Sequence, residues 1–486
     1  MEARRLASSL TLVLVFATAA GCGQVRPAVP VAPPAVRWAE SPRESAFLDT
    51  LEQRTFAFFW ERSDPATGLT PDRWPTDAFA SVAAIGFALT AYPIGVERGY
   101  VSRREAAERT LRTLQFLWSA PQGPGATGVT GYHGFYYHFL DMHSGHRFSE
   151  WVELSTIDTA LLLGGVLFCQ SYFDGPGVEE ERVRAYADSI YRRVDWHWAS
   201  PRAPAVSHGW YPEKGYIKYD WIGYNEAMIV YVLALGSPTF PADSSAWDAW
   251  LRDYRWGTYE GRRHVGFPPL FGHQYSHVWL DFRGIQDSYM RKRGIDYFEN
   301  SRRATYAQRG YAVDNPGGWT GYGGATWGLT ASDGPGDTVL TAMGRQRRFM
   351  GYSARGASFT EIVDDGTLVP SAAGGSVPFA PEITIPALVS MRERHDTNLF
   401  SRYGFVDAYN ESFPTGVPVK QGRTVPGQGW FDTDYLGIDQ GPIVAMVENY
   451  RSGLVWRYMR RNPYIVRGLK RAGFTGGWLE QTAAVP

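Results

Sequence analysis

Two acidic side chains stand in surroundings that would alter their chemistry. Glu226 lies in Asp220-Trp221-Ile222-Gly223-Tyr224-Asn225-Glu226-Ala227 and precedes Met228–Leu235, a stretch with no charge. Apolar and aromatic company raises a carboxyl pKa, as proton donation near neutral pH requires. The alternative is a first-turn Glu that stabilises the helix dipole. Asp158, in Glu153-Leu154-Ser155-Thr156-Ile157-Asp158-Thr159-Ala160-Leu161, starts an otherwise apolar helix. It either points into a site or serves the first turn of a helix capped by Ser155 or Thr156. Asp333, Asp364, Asp365 and Asp439 have Gly neighbours and suit turns as well as catalysis. His273 and His277, four apart, could share a helical face, but no Glu follows the first and no third ligand is evident, so a polar cleft wall is expected rather than zinc. Asp432, Asp434 and Asp439 lack the full calcium-loop pattern. Trp210, Trp221, Trp279, Trp319, Trp327 and Trp430 are either stacking surfaces for sugar rings or core residues. A nucleophile elbow, a Walker motif and a dinucleotide fingerprint are all missing, and no metal or organic cofactor is expected.

These residues need elements to position them. Val82–Tyr92, Thr156–Tyr172 and Asn225–Leu235 read as apolar helices. Each is followed by a more polar one, at Ser102–Trp118, Val178–Val194 and Ser245–Tyr254. Ser102 with Glu105 forms a capping box. Arg302–Val313, Glu382–Arg394 and Gln440–Arg460 supply further helices, while strand patterns are few and short. Inner apolar and outer amphipathic helices in alternation predict an all-α fold, an (α/α)6 toroid of helical hairpins. The connections Pro121–Ser149, Asn315–Gly356 and Asn410–Leu436 are long and rich in Gly and aromatic residues, which predicts the rim of a central cleft.

Lys+Arg is 48 and Asp+Glu 49, a balance that argues against a nucleic-acid partner. Hydrophobic residues make up 44 %, enough for a sizeable core, and aromatic residues 15 %, which favours a ring-lined site. Residues 1–21 read as a secretion signal, with Arg4, Arg5 and an apolar run from Leu10 to Phe16. The signal ends Ala19-Ala20-Gly21-Cys22, which resembles a bacterial lipobox and predicts lipidation at Cys22. Residues 22–40 read as a Pro/Ala-rich tether and 41–486 as a single domain. The chain is therefore expected in the bacterial cell envelope, on the periplasmic or outer-membrane side, touching the membrane only through its anchor. Cys169, after the apolar run Leu161–Phe168, is expected to be a buried, inert thiol.

Eight strings in order carry a family resemblance: Ser155–Leu162, Gly223–Ala227, Leu233–Pro238, Pro269–His277, Asp296–Arg302, Trp327–Pro335, Asp364–Thr367 and Gly437–Pro442. Through them the chain resembles the bacterial glucoamylase-like domain family, related to the endo-β-1,2-glucanases of glycoside hydrolase family 144. The resemblance spans roughly Phe47–Met459 and implies an (α/α)6 barrel and inverting hydrolysis of glucan linkages. It places Glu226 at an essential Glu and Asp158 at a second essential acid, which reads as Glu in those glucanases. Three residues earlier they carry Asp, where this chain has Ser155. The expectation that follows is a glycoside hydrolase acting on a β-glucan or related oligosaccharide, with Glu226 as general acid and Asp158 as general base. Asp439 and Asp333 are the reserve bases. His273, Gln274, His277 and Arg283 are expected hydroxyl binders, and Trp210, Trp221 and Trp327 stacking surfaces. Inversion asks for carboxyls about 6.5–9.5 Å apart. A non-hydrolytic glycan-binding lipoprotein and a transglycosylase on the same fold are the alternatives.

Overall fold

The first helix begins where the sequence supplies a cap. In the computed structural model, which describes residues 38–481, the Ser41 hydroxyl accepts from Glu44 N and the Glu44 carboxylate accepts from Ser41 N. This capping box, with Pro42 in the first turn, opens α1 (Pro42–Arg62). The secretion signal, Cys22 and nearly all of the tether lie outside the described residues. From Glu40 onward the chain forms one compact unit.

Buried and amphipathic helices then alternate. α2 (Val82–Glu97) buries every residue from Val82 to Gly95. α3 (Arg103–Ser119) opens on the expected Ser102/Glu105 box and turns only one face inward. α4 (Thr156–Tyr172) is buried almost throughout, and α5 (Val178–Arg193) buries Val183, Ala187, Ile190 and Tyr191. α6 (Met228–Gly236) is wholly buried and is followed by α7 (Ala246–Leu251), α8 (Tyr275–Trp279), α9 (Ser288–Arg293) and α10 (Tyr297–Asp314). Then come α11 (Pro370–Gly374), α12 (Pro381–His395), α13 (Gly437–Arg451), α14 (Leu454–Met459), α15 (Pro463–Arg471) and α16 (Gly477–Gln481). The single helix expected over Gln440–Arg460 is two. Gly453 adopts a φ of +67°, which stops α13 and starts α14 in a new direction.

The buried helices are one another's neighbours. α2 packs on α4 and α13, α4 on α6 and α8, and α13 on α8 and α11. The amphipathic ones lie outside them: α1 on α2 and α13, α5 on α4, α12 on α11, and α15 on α6. Two glycines bring α2 and α4 into backbone contact. A Cβ on Gly165 would sit 2.1 Å from Gly86 O, and one on Gly86 would sit 2.4 Å from Leu161 O. Among the described residues no helix is long and apolar enough to cross a membrane. Cys169 is buried, and its Sγ meets Leu89 O.

The chain is mostly helical but not all-α. Short strands occupy the connections, and three lead directly into inner helices. Ala80–Ser81 pairs with Phe139–Leu140 and runs into α2. Arg73–Trp74 pairs with Tyr435–Leu436, which runs into α13. Leu154–Ser155 is the middle strand of an antiparallel five-stranded sheet and runs into α4. The connections expected to be long loops also carry structure. Thr338–Ala342 and Arg345–Phe349 form a hairpin, and Trp319, Phe349, Val369, Phe413 and Trp430 build a small core of their own.

Candidate active site

Glu226 sits two residues before α6, in a turn where Asn225 Oδ1 accepts from Ala227 N at 2.9 Å. The Ser276 hydroxyl of α8 donates to Glu226 O at 2.6 Å and accepts from Ile229 N at 3.0 Å, locking the turn to the next inner helix. Of the carboxylate, Oε2 is buried and has no hydrogen-bond partner. Burial, with the charge of Asp158 added, pushes the Glu226 carboxyl up to about 7. A carboxyl so placed still holds its proton where most enzymes work.

Asp158 lies in the first turn of α4, and the cap and site readings turn out to be compatible. Its backbone N–H donates to Ser155 Oγ at 3.2 Å, and Ser155 Oγ donates to Asp158 Oδ2 at 2.5 Å. The other oxygen faces His138 Nε2 at 3.4 Å, while His138 Nδ1 meets Glu153 Oε1 at 2.8 Å. His138 is thus held between two carboxylates. Burial opposes its charge, but Asp158 and Glu153 prevail and raise the imidazole to about 9. Burial raises Asp158, and the imidazolium and the Ser155 hydroxyl act against that rise. Both residues owe their positions to strands: His138 precedes Phe139, which pairs with Ser81, and Leu154–Ser155 carries Glu153 alongside.

A third set of acids arrives with α13 and the loops. Asp439, in the first turn of α13, accepts from the Ser371 hydroxyl of α11 at 2.8 Å, and burial pushes it up to about 7. Asp407 lies next to it, raised by burial and by Asp439, Asp333 and Asp432. Arg73 reaches Asp333 at 2.6 Å and Asp72 at 3.1 Å, and Gln421 Nε2 donates to both Asp333 and Asp434. Tyr275, the first residue of α8, has its phenol raised by burial and further by the charges of Asp439, Glu226 and Asp407. Tyr352, 61 % exposed, stands close enough to Asp439, Asp72, Asp407 and Asp333 to feel their charge. Among the described residues two groups are tight enough to hold a cation, His138/Glu153/Asp158 and Asp333/Asp407/Asp432, although His138 and Arg73 already supply positive charge to each.

The remaining sequence candidates are placed elsewhere. His273 is fully buried between Tyr224 OH at 3.1 Å and Phe267 O at 3.2 Å, and burial drives its pKa far down. His277 is equally buried, meets Ser301 Oγ at 3.1 Å, and falls to about 3 through burial. Gln274 donates to Ala372 O and Ser376 Oγ and so fastens α11. Trp327 is a core residue with no exposed surface. These four positions present no surface to a sugar. Arg283 is exposed but pairs with Asp281 at 2.7 Å and stacks over Trp456. Trp210 is wedged among Tyr132 and Trp198. Trp221 stacks on His208 and donates to Thr156 Oγ1 at 2.9 Å, one turn from Asp158. His138, Glu153, Asp407, Arg73 and Tyr275 were not singled out from the sequence. The one available signal was the polar His138 within Phe135-Tyr136-Tyr137-His138-Phe139.

Buried helices whose first turns carry acidic side chains, as α4 carries Asp158 and α13 carries Asp439, frame the candidate site of this mostly helical protein. The Glycoamylase family model, described as "Putative glucoamylase", matches residues 218–463, and the chain belongs to that family. A Bacteroides uniformis crystal structure of the same description is 31 % identical at a TM-score of 0.78, covering 90 % of this chain and 100 % of that one. An endo-β-1,2-glucanase from Chitinophaga pinensis, solved with sophorotriose and glucose, is 27 % identical at a TM-score of 0.74, covering 90 % and 100 %. An exo-β-1,2-glucooligosaccharide sophorohydrolase (non-reducing end) from Parabacteroides distasonis is 27 % identical over 88 % of this chain. The chain spans 58 % of that relative's length.

Proposed function

We propose that this protein is an inverting glycoside hydrolase acting on β-1,2-linked glucan or its oligosaccharides. The observation that carries the reading is Glu226: a buried carboxyl with an unpartnered oxygen, protonated up to about pH 7, facing the charge of Asp158. Glu226 donates its proton to the glycosidic oxygen. Asp158, beside the His138 imidazolium that opposes the effect of burial on it, takes a proton from the attacking water. Asp439, a buried acid in the first turn of α13, is the alternative base. A carboxyl raised to about 7 and crowded by Asp407 is the weaker base candidate at neutral pH. The β-1,2 linkage is supported by the names of the Chitinophaga and Parabacteroides relatives.

The packing of the buried helices on one another, α2 on α4 and α13, α4 on α6 and α8, and α13 on α8 and α11, with amphipathic helices outside them, supports a six-hairpin toroid. The leader and Cys22 support anchoring in a bacterial envelope. Two measurements test the chemistry. With linear β-1,2-glucan, new reducing ends should appear, and proton NMR should show the α-anomer first, because inversion converts a β linkage. Glu226→Gln should lower turnover by orders of magnitude while glucan binding persists. A β-anomer as first product sinks inversion, and full turnover by the Gln variant removes Glu226 as the acid. Binding with no cleavage of any glucan would favour capture over hydrolysis.

A further inference from the structure

Two of the most exposed large rings lie just before the strand that carries Ser155, and neither is a tryptophan expected from sequence. Phe148 is 44 % exposed and Trp151 51 % exposed, at the tip of the turn that leads into the Leu154–Ser155 strand. They join Phe79 and Phe139 in one cluster: Phe79–Phe139 at 4.1 Å, Phe79–Phe148 at 5.0 Å, Phe79–Trp151 at 5.7 Å and Phe139–Trp151 at 5.7 Å between centroids. The cluster is continuous with the acids. Phe139 stacks on His138 at 3.8 Å, and Trp151 is two residues from Glu153.

The turn is braced from within. Arg147, with its side chain buried, donates to Val152 O, Glu150 O and Ala126 O and pairs with Glu213 at 2.6 Å. Its guanidinium lies over Tyr137, Phe148 N donates to Phe139 O, and Tyr211 OH donates to Trp151 O. A buried cation therefore fixes a turn whose apolar side chains stay in water. Such an arrangement loses little entropy when a ligand settles on the rings.

We infer that Phe148 and Trp151, backed by Phe79 and Phe139, form a carbohydrate platform that seats glucosyl units of the substrate beyond the two joined at the scissile bond. The occupant is a sugar because the strip begins at Phe139, stacked on the His138 that holds Asp158, so a chain bound over the acids reaches the rings by extending to that side. The flanking residues Ser149 and Glu150 offer hydroxyl and carboxylate partners rather than a wider apolar face. Pyranose C–H faces stack on such rings while their hydroxyls stay hydrated.

The inference rests on the glucan reading above, and its test separates the two. In the Glu226→Gln protein, affinities for a β-1,2-linked glucose disaccharide and hexasaccharide are measured by calorimetry, with Trp151→Ala, Phe148→Ala and Trp151→Phe added in turn. Each Ala variant should lose about tenfold for the hexasaccharide and distinctly less for the disaccharide, and Trp151→Phe should recover most of the loss. Equal losses at both lengths, or none at either, overturn the platform alone. Failure of the Glu226→Gln protein with intact rings to bind either sugar overturns the glucan reading and the platform with it.

Discussion

At the scale of single residues, the candidate site is a set of carboxyls whose surroundings differ. Glu226 has burial and one unpartnered oxygen, Asp158 has an imidazolium and a hydroxyl, and Asp439 has a hydroxyl and a neighbouring acid. Such an acid weakens the fold that holds it. The folded pKa of Glu226 is about 7 against an ordinary 4.5, so the native state binds its proton more tightly than the unfolded chain does. Below the unfolded value the group is neutral in both states and costs nothing. Between 4.5 and about 7 stability drains away, and above that the full penalty applies, about 3 kcal/mol from the size of the shift. Glu226→Gln removes the titration. Its melting temperature should match the parent's at pH 4 and exceed it at pH 8. A gap independent of pH would show that Glu226 is not desolvated in the fold. Glu226 and Asp158 were legible in the sequence because each interrupts an apolar helix start. His138 was not, because only strand pairing across the Pro121–Ser149 connection brings it to Asp158.

At the scale of elements, the two-residue strands do the positioning. Ser81, Ser155 and Leu436 each end a strand and begin an inner helix, so pairing fixes where α2, α4 and α13 start. Helix identity was readable from periodicity, but such pairing was not, since two residues carry no alternation. α1 was missed as well, although Ser41 and Glu44 spell its capping box, because its aromatic-rich Thr55–Trp60 stretch lacks a clear helical period. The α2–α4 crossing gives a test that inverts the usual rule. Gly→Ala inside a helix ordinarily stabilises by about 1 kcal/mol. At Gly165 the added carbon would stand 2.1 Å from the backbone oxygen of Gly86, which cannot retreat without moving α2. Gly165→Ala should therefore cost about 1–3 kcal/mol in denaturant unfolding. Turnover should fall with it, since α4 carries Asp158. A stability gain would mean that the two helices do not touch at these glycines.

At the scale of the whole chain, distant segments are tied by a buried charge set that sequence reading had no means to assemble. Glu52 of α1 and Glu448 of α13 are almost wholly buried. Arg98, at the end of α2, reaches Glu52 at 3.2 Å and Glu448 at 2.6 Å, and Arg451 reaches Glu52 at 2.5 Å. Burial and the neighbouring Glu448 together raise Glu52 well above the ordinary carboxylate range, against the pull of the two arginines. The set is balanced only while both cations are present. Replacing Arg451 by Met keeps the length of the apolar stem but leaves a buried carboxylate without one of its two cations. The loss should be about 3–5 kcal/mol, as when one partner of a buried pair is removed. Glu52→Gln in the same protein should recover part of it, because the amide needs no counter-charge where the acid did. Thermal midpoints of the parent, the single and the double variant decide the matter. If Arg451→Met melts with the parent, or if Glu52→Gln gives no rescue, the tie between α1 and α13 is not electrostatic, and the packing of α1 on α13 alone would hold these two helices together.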